Sequence, residues 1–184
     1  MNGYDDDLIA GEVKQVLQKL FPQEDFRDAE LQETPLRFAR MLVELTTHEP
    51  FKFTTFESDA DEMVVIRDIS FVSLCAHHIV PFVGVAHIGY VPNGKVGGLS
   101  KFARVVRQMA KGLWNQENLT TAIAVNLEEH LHPLGVAVVL SAEHLCMTIR
   151  GVQAPGTTTT TSKMTGCFAD HSKMARSEFL GLIR

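Results

Sequence analysis

Met63-Val64-Val65-Ile66-Arg67-Asp68-Ile69-Ser70-Phe71-Val72 is the stretch on which the fold turns. β-branched and aromatic side chains dominate it and glycine and proline are absent, so it reads as an extended strand. Residues 82–91 read the same way. Pro92-Asn93-Gly94 then gives a turn signal, and Lys95-Val96 begins a short strand expected to return antiparallel.

Outward from this pair the period changes. Toward the N-terminus, Asp5 to Asp7 precede Leu8, Ile9, Val13, Val16, Leu17 and Leu20 at helical spacing, and Phe21-Pro22 closes the segment. Thr34 offers an N-cap with Pro35 at the first helical position, predicting a second helix to about residue 45 with Arg37 and Arg40 on its polar side. Toward the C-terminus, Ser100 is expected to cap a helix over 101–113, and Thr120 another to about His130. Residues 136–142 and 145–152 read as strands, the threonines 157–161 as a loop entering an edge strand, and 172–183 as a terminal helix. Helices, a strand pair, more helices, more strands and a last helix predict an α+β fold on an antiparallel sheet. A single domain over 1–184 is expected, with a helical segment 1–50 and an α+β core 62–184.

Composition sets the outer limits. With 184 residues, 45% of them hydrophobic and 21% charged, the chain is that of a folded protein with room for one full core. Seventeen Lys and Arg against 22 Asp and Glu leave a formal charge of −5, so no global basic field draws in nucleic acid or an anionic membrane. The start of the chain is acidic where a signal peptide is basic, and no apolar run approaches a membrane span, so a cytoplasmic setting is expected. Three cysteines, an odd number, point to thiols or metal ligands and away from a disulfide framework.

Two of those cysteines have histidines beside them. In Cys75-Ala76-His77-His78 a thiolate and an imidazole three residues apart, at a strand end, can close on one zinc. In Glu143-His144-Leu145-Cys146, on an expected strand, His144 and Cys146 at i and i+2 would share a face. If Cys146 joins Cys75 and His78, three protein ligands leave a fourth position for water, the arrangement of catalytic zinc. His77 and His144 would then stand nearby for proton transfer. Ordinary buried cysteines beside hydrogen-bonded histidines are the alternative. In Gly98-Leu99-Ser100-Lys101-Phe102-Ala103-Arg104, a helix start with Lys101 and Arg104 one turn apart makes a small anion site, to which Arg150, Arg37 and Arg40 could add charge. A solvated basic face is the plainer reading. Glu117 can accept two N–H bonds from a guanine edge but by itself reads as surface. His48, His87, His130, His132, His171 and Cys167 carry no such partners in sequence and read as packing or surface.

Together with Pro81-Phe82, Tyr90-Val91-Pro92-Asn93-Gly94-Lys95-Val96, Gln116-Glu117, Leu119-Thr120, Met147 and Arg150-Gly151-Val152, these motifs resemble, in order and spacing, the GTP cyclohydrolase I family of the tunnelling-fold superfamily. The resemblance covers about residue 33 to the C-terminus. It implies an antiparallel sheet with helices on one face, assembled into a toroidal homodecamer with sites at subunit interfaces. It implies conversion of GTP to 7,8-dihydroneopterin triphosphate and formate, feeding folate, pterin or 7-deazaguanine synthesis. It implies zinc on Cys75, His78 and Cys146, with His77 and His144 moving protons. Glu117, helped by Gln116, would hold guanine, and Ser100, Lys101, Arg104 and Arg150 the triphosphate, with Arg37 and Arg40 lent by a neighbour. Two departures stand out. Ala76 occupies the place of the family's usual Glu, and Gly112-Leu113-Trp114-Asn115-Gln116-Glu117-Asn118 replaces a stretch with two arginines. A nitrile reductase of 7-deazaguanine synthesis and a non-catalytic, zinc-stabilised paralogue are the rival readings.

Overall fold

Residues 5–169 and 174–184 are described by the computed structural model. The expectations for the first four residues, for His171 and for a helix beginning at Ser172 lie outside the described residues. The chain divides into two compact units, Met1–Thr47 and His48–Arg184.

The first unit is a helix pair, α1 (Asp6–Leu20) and α2 (Thr34–Thr46). The Asp5 carboxylate caps α1 by accepting from the Asp7 and Leu8 amides at 3.1 and 3.0 Å. Glu33, not Thr34, is the N-cap of α2, so the expected cap lies one residue too late. Arg40 reaches Asp6 at 3.5 Å.

The second unit is built on a five-stranded sheet ordered β5-β2-β3-β6-β7. Its central strands β2 (Val64–Cys75), β3 (Pro81–Val91) and β6 (Gly135–His144) pair antiparallel, with β7 (Thr158–Met164) on one edge. On the other edge β5 (Leu113–Trp114) pairs parallel to the end of β2, with Cys75 opposite Trp114, so the sheet is not purely antiparallel. A bulge between Ile66 and Ile69 interrupts the β2–β3 register, with Asp68 at φ 58°.

Two helices cover one face: α3 (Leu99–Met109) and α4 (Gln116–Leu131). In α4, Leu119, Ile123, Leu127 and Leu131 repeat at one-turn spacing and are all buried, the stripe that docks a helix on a sheet. They pack with Phe71, Ile88, Val136, Val138 and Leu140 into the main core. Truncating Leu127, 0% exposed, to Ala should cost about 2–5 kcal/mol. The alternate residues of β6, Ala137 and Val139, face the other way, onto Phe168 and Phe179. Phe179 belongs to α6 (Ala175–Leu182), so helices do not keep to one face as expected. The uninterrupted apolar run of β6 carried that signal, since a strand covered on both faces loses its alternation. Gly89 belongs to the same arrangement: a Cβ there would stand 2.6 Å from the Phe179 ring.

Several boundaries move from their expected places. Lys95–Gly97 forms β4, but it pairs with β1 (Thr55–Glu57), a strand with no sequence expectation, and not with β3. Helix α3 begins after Gly98 and stops at Met109, freeing Leu113 and Trp114 for β5. Asn115, not Thr120, caps α4, accepting from the Asn118 amide at 2.9 Å. The second expected strand after β6 is instead the one-turn helix α5 (Leu145–Thr148). Among the described residues no helix is long and apolar enough to cross a membrane.

Candidate active site

The β2–β3 connection is a tight turn that folds back on Cys75. The Cys75 carbonyl accepts from the His78 and Ile79 amides at 3.2 and 2.8 Å, and its own amide donates to the Val80 carbonyl at 3.0 Å. Ile79 sits at φ 53°, a left-handed conformation that β-branched residues resist, and such strain concentrates where a loop must hold a set geometry. The consequence is that His78 Nδ1 stands 3.7 Å from Cys75 Sγ.

β6 runs alongside β3 and delivers the second segment. Phe82 pairs with His144, which ends the strand, and the chain then turns into α5. Cys146 is therefore on a helix, not two residues along a strand from His144. From there its Sγ lies 4.0 Å from Cys75 Sγ. The ligand atoms of Cys75, His78 and Cys146 all fall within 4.8 Å of one another. Tetrahedral bonds of about 2.3 Å to sulfur and 2.0–2.1 Å to nitrogen place sulfurs about 3.8 Å apart and sulfur and nitrogen about 3.6 Å apart. The donor set and spacing fit a divalent metal with three protein ligands. His77 Nδ1 lies 3.8 Å from Cys75 Sγ but does not join the three-residue group. Burial, then the neighbouring Cys75, push the Cys146 thiol up. A bound cation would reverse that by favouring thiolate.

His144 is held by its neighbours. Its ring stacks on Phe82 with centroids 4.6 Å apart and 3° between planes. Its Nε2 lies 2.8 Å from Gln116 Oε1. Burial holds its pKa below the ordinary value, while the Glu117 charge pulls it back up, which places Glu117 within electrostatic reach of the ring. Glu117 itself is exposed in the first turn of α4. Gln116, expected beside it at the guanine edge, is only 2% exposed and faces inward.

The loop after α5 is tied to the same strand end. Glu143 accepts from the Thr148 hydroxyl and the Gly156 amide, both at 3.0 Å, and these bonds hold its carboxyl below the usual range. Exposed Arg150 lies on this loop, and its charge is felt at Cys146. Ser100, Lys101 and Arg104 occupy the start of α3, with no hydrogen bond or ion pair to the Cys75 cluster among the described residues. Arg37 and Arg40 lie on α2, in the first unit. His87, read as packing, is buried and accepts the Asp68 amide at 3.3 Å, and His130 stacks on Phe53. Phe82 and Glu143 had no signal in sequence as positioning groups, because their partners become neighbours only across the β3–β6 pair and the loop after α5.

The family model for GTP cyclohydrolase I matches residues 9–184. GTP cyclohydrolase 1 of Saccharomyces cerevisiae is 46% identical over 182 residues, covering 95% of this chain and 73% of its own. The enzyme of the same name from Listeria monocytogenes is 46% identical over 190 residues, covering 100% of this chain and 99% of its own. That from Sulfurihydrogenibium sp. is 50% identical over 155 residues, covering 83% of this chain and 82% of its own. The crystal structure of an apo archaeosine synthase QueF-Like covers 60% of this chain and 97% of its own at TM-score 0.49 and 15% identity, too distant to bear on activity. A match running through both arms of the Cys-His-Cys cluster and nearly the whole length makes this chain a member of the GTP cyclohydrolase I family.

Proposed function

We propose that this chain converts GTP and water to 7,8-dihydroneopterin triphosphate and formate, with one zinc held by Cys75, His78 and Cys146. The supporting observation is that three ligand atoms of the right kind stand within 4.8 Å of one another in a chain of this family. When bound, zinc supplies Lewis acidity that makes water nucleophilic near neutral pH. His144, beside this cluster, takes the proton shed by the attacking water and passes it to purine N7 as C8 is attacked, and His77 serves the later transfers that release C8 as formate and rearrange the ribose. Glu117 accepts the N1 and 2-amino hydrogens of guanine, which adenine does not present together.

Ser100, Lys101, Arg104 and Arg150 hold the triphosphate, the first three from the N-terminal turns of α3, where free amides and the helix dipole favour an anion. One chain offers few cations near its own cluster, so Arg37 and Arg40 come from a neighbouring copy, in keeping with a toroidal homodecamer. Helix α1 buries none of its residues, and Leu8 and Leu20 are each 65% exposed, the kind of surface an assembly would cover. The other site residues belong to the core 62–184, and the helical segment 1–50 serves assembly and lends Arg37 and Arg40 to a neighbouring site.

Zinc-loaded protein incubated with GTP should release formate and a triphosphorylated pterin in equal amounts, and none from ATP. Full zinc occupancy with no formate would leave the non-catalytic paralogue standing. Nitrile-dependent NADPH oxidation without formate would favour the reductase.

A further inference from the structure

Gln116 is buried, and its carboxamide is surrounded by groups whose hydrogen-bond roles are fixed. Its Nε2 lies 3.2 Å from the Leu140 carbonyl and 2.9 Å from the Thr159 carbonyl, oxygens that can only accept. A third neighbour, Thr161 Oγ1 at 3.1 Å, is also forced to accept. Thr120 Oγ1 gives its proton to the Gln116 backbone carbonyl at 2.7 Å, so the 2.7 Å contact between Thr120 and Thr161 needs the proton of Thr161. The amide nitrogen therefore faces three acceptors and the amide oxygen faces His144. The opposite orientation would set oxygen against oxygen at each of these contacts.

An oxygen 2.8 Å from an imidazole nitrogen requires a hydrogen on that nitrogen. Flipping the imidazole would bring a carbon there and leave a buried acceptor without a donor. The ring stack on Phe82 holds the plane in which this bond is made. The opposite nitrogen, Nδ1, has no hydrogen-bond partner among the described residues.

We propose that Gln116 is a positioning residue that fixes neutral His144 as the Nε2–H tautomer, leaving Nδ1 as the atom that takes and gives the catalytic proton. The proposal deepens the proton-transfer role given above to His144 and rests on it. It gives Gln116 a task distinct from holding guanine. A guanine contact acts on substrate affinity, whereas a tautomer lock acts on turnover.

The test is nitrogen-15 NMR of the histidine rings in zinc-loaded protein at about pH 8, where imidazoles are neutral, assigned by loss of the His144→Ala signal. The expected result is a protonated Nε2 and a bare Nδ1 at His144, whereas a protonated Nδ1 overturns the proposal without any variant. Gln116→Met should lower kcat about 10-fold or more with KM changed less than about 2-fold, and should populate the second tautomer. A raised KM with unchanged kcat in Gln116→Met overturns the proposal in favour of a guanine contact. Full turnover by His144→Ala defeats instead the proton-transfer role, and the NMR result separates the two failures.

Discussion

At the Cys75 corner, ligand atoms from two distant segments stand within 4.8 Å of one another, drawn together by a strained turn and a strand pair. At the start of α3, Ser100, Lys101 and Arg104 come from a single segment, and their side chains engage no hydrogen bond or ion pair among the described residues. On the proposed function, the contrast follows from what each ligand demands. A metal binds at about 2.0–2.3 Å and tolerates little error, so the fold must build its site in advance. A triphosphate is attracted over several ångströms by charges on long flexible side chains, so its site can be finished by the ligand and by other chains. Substitutions at the corner should therefore act in an all-or-none manner, and those at α3 by degrees.

The sharpest break in that comparison comes from Cys146→Ser, which should abolish zinc retention and lower turnover by more than about 100-fold, beyond the effect of outer-shell changes. Cys167→Ser, in the second core cluster, should keep its zinc under the same metal analysis. Next in size is Ala76→Glu. Ala76 is exposed between Cys75 and His77, with its amide tied to the Trp114 carbonyl at 2.9 Å, so the backbone is already fixed and only a side chain is missing. Adding the carboxylate should raise kcat by about 10-fold or more at saturating zinc. Equal rates in the two proteins would show that the position plays no part in orienting the histidines. At α3, Lys101→Ala should raise the apparent KM for GTP about 10-fold, the equivalent of one charged hydrogen bond, with zinc content unchanged. GTP should also bind more weakly as salt rises, and more tightly than guanosine. Equal affinity for GTP and guanosine would remove α3 from the site.

The smallest effect concerns stability against pH. Burial holds His87 below its ordinary pKa, against a lesser upward pull from Asp68. The unfolded chain then binds a proton that the folded chain resists, so stability is level above about pH 6.5 and falls as pH drops toward the depressed folded value. Urea midpoints should decline across that window, and less steeply for His87→Gln. An identical slope in that variant would assign the decline to other groups.

Local chemistry was legible and long-range pairing was not. The β2 and β3 strands follow from residue types a few positions apart, whereas the caps expected at Thr34, Ser100 and Thr120 fall at Glu33, Gly98 and Asn115. The partner of β4 was not legible, because β1 is only three residues long and pairs Thr55 with Gly97 and Glu57 with Lys95, positions remote along the chain. Cys146 was legible as a companion of Cys75 and His78 and not as part of a helix, since Leu-Cys-Met-Thr has no period to measure. Gln116 shows the limit most clearly. Its neighbours Leu140, Thr159 and Thr161 are remote in sequence, and only the packing of α4 over β6 and β7 aims its oxygen at His144.

The central claim is that turnover of GTP depends on one zinc held by Cys75, His78 and Cys146. Stripping the metal with a chelator and titrating zinc back while measuring formate release from GTP tests it most directly. Activity should vanish on stripping, return in full at one equivalent of zinc per chain, and stay absent in Cys146→Ser at the same zinc concentration. Formate release that persists in the stripped protein, or that zinc restores equally in Cys146→Ser, would contradict the account.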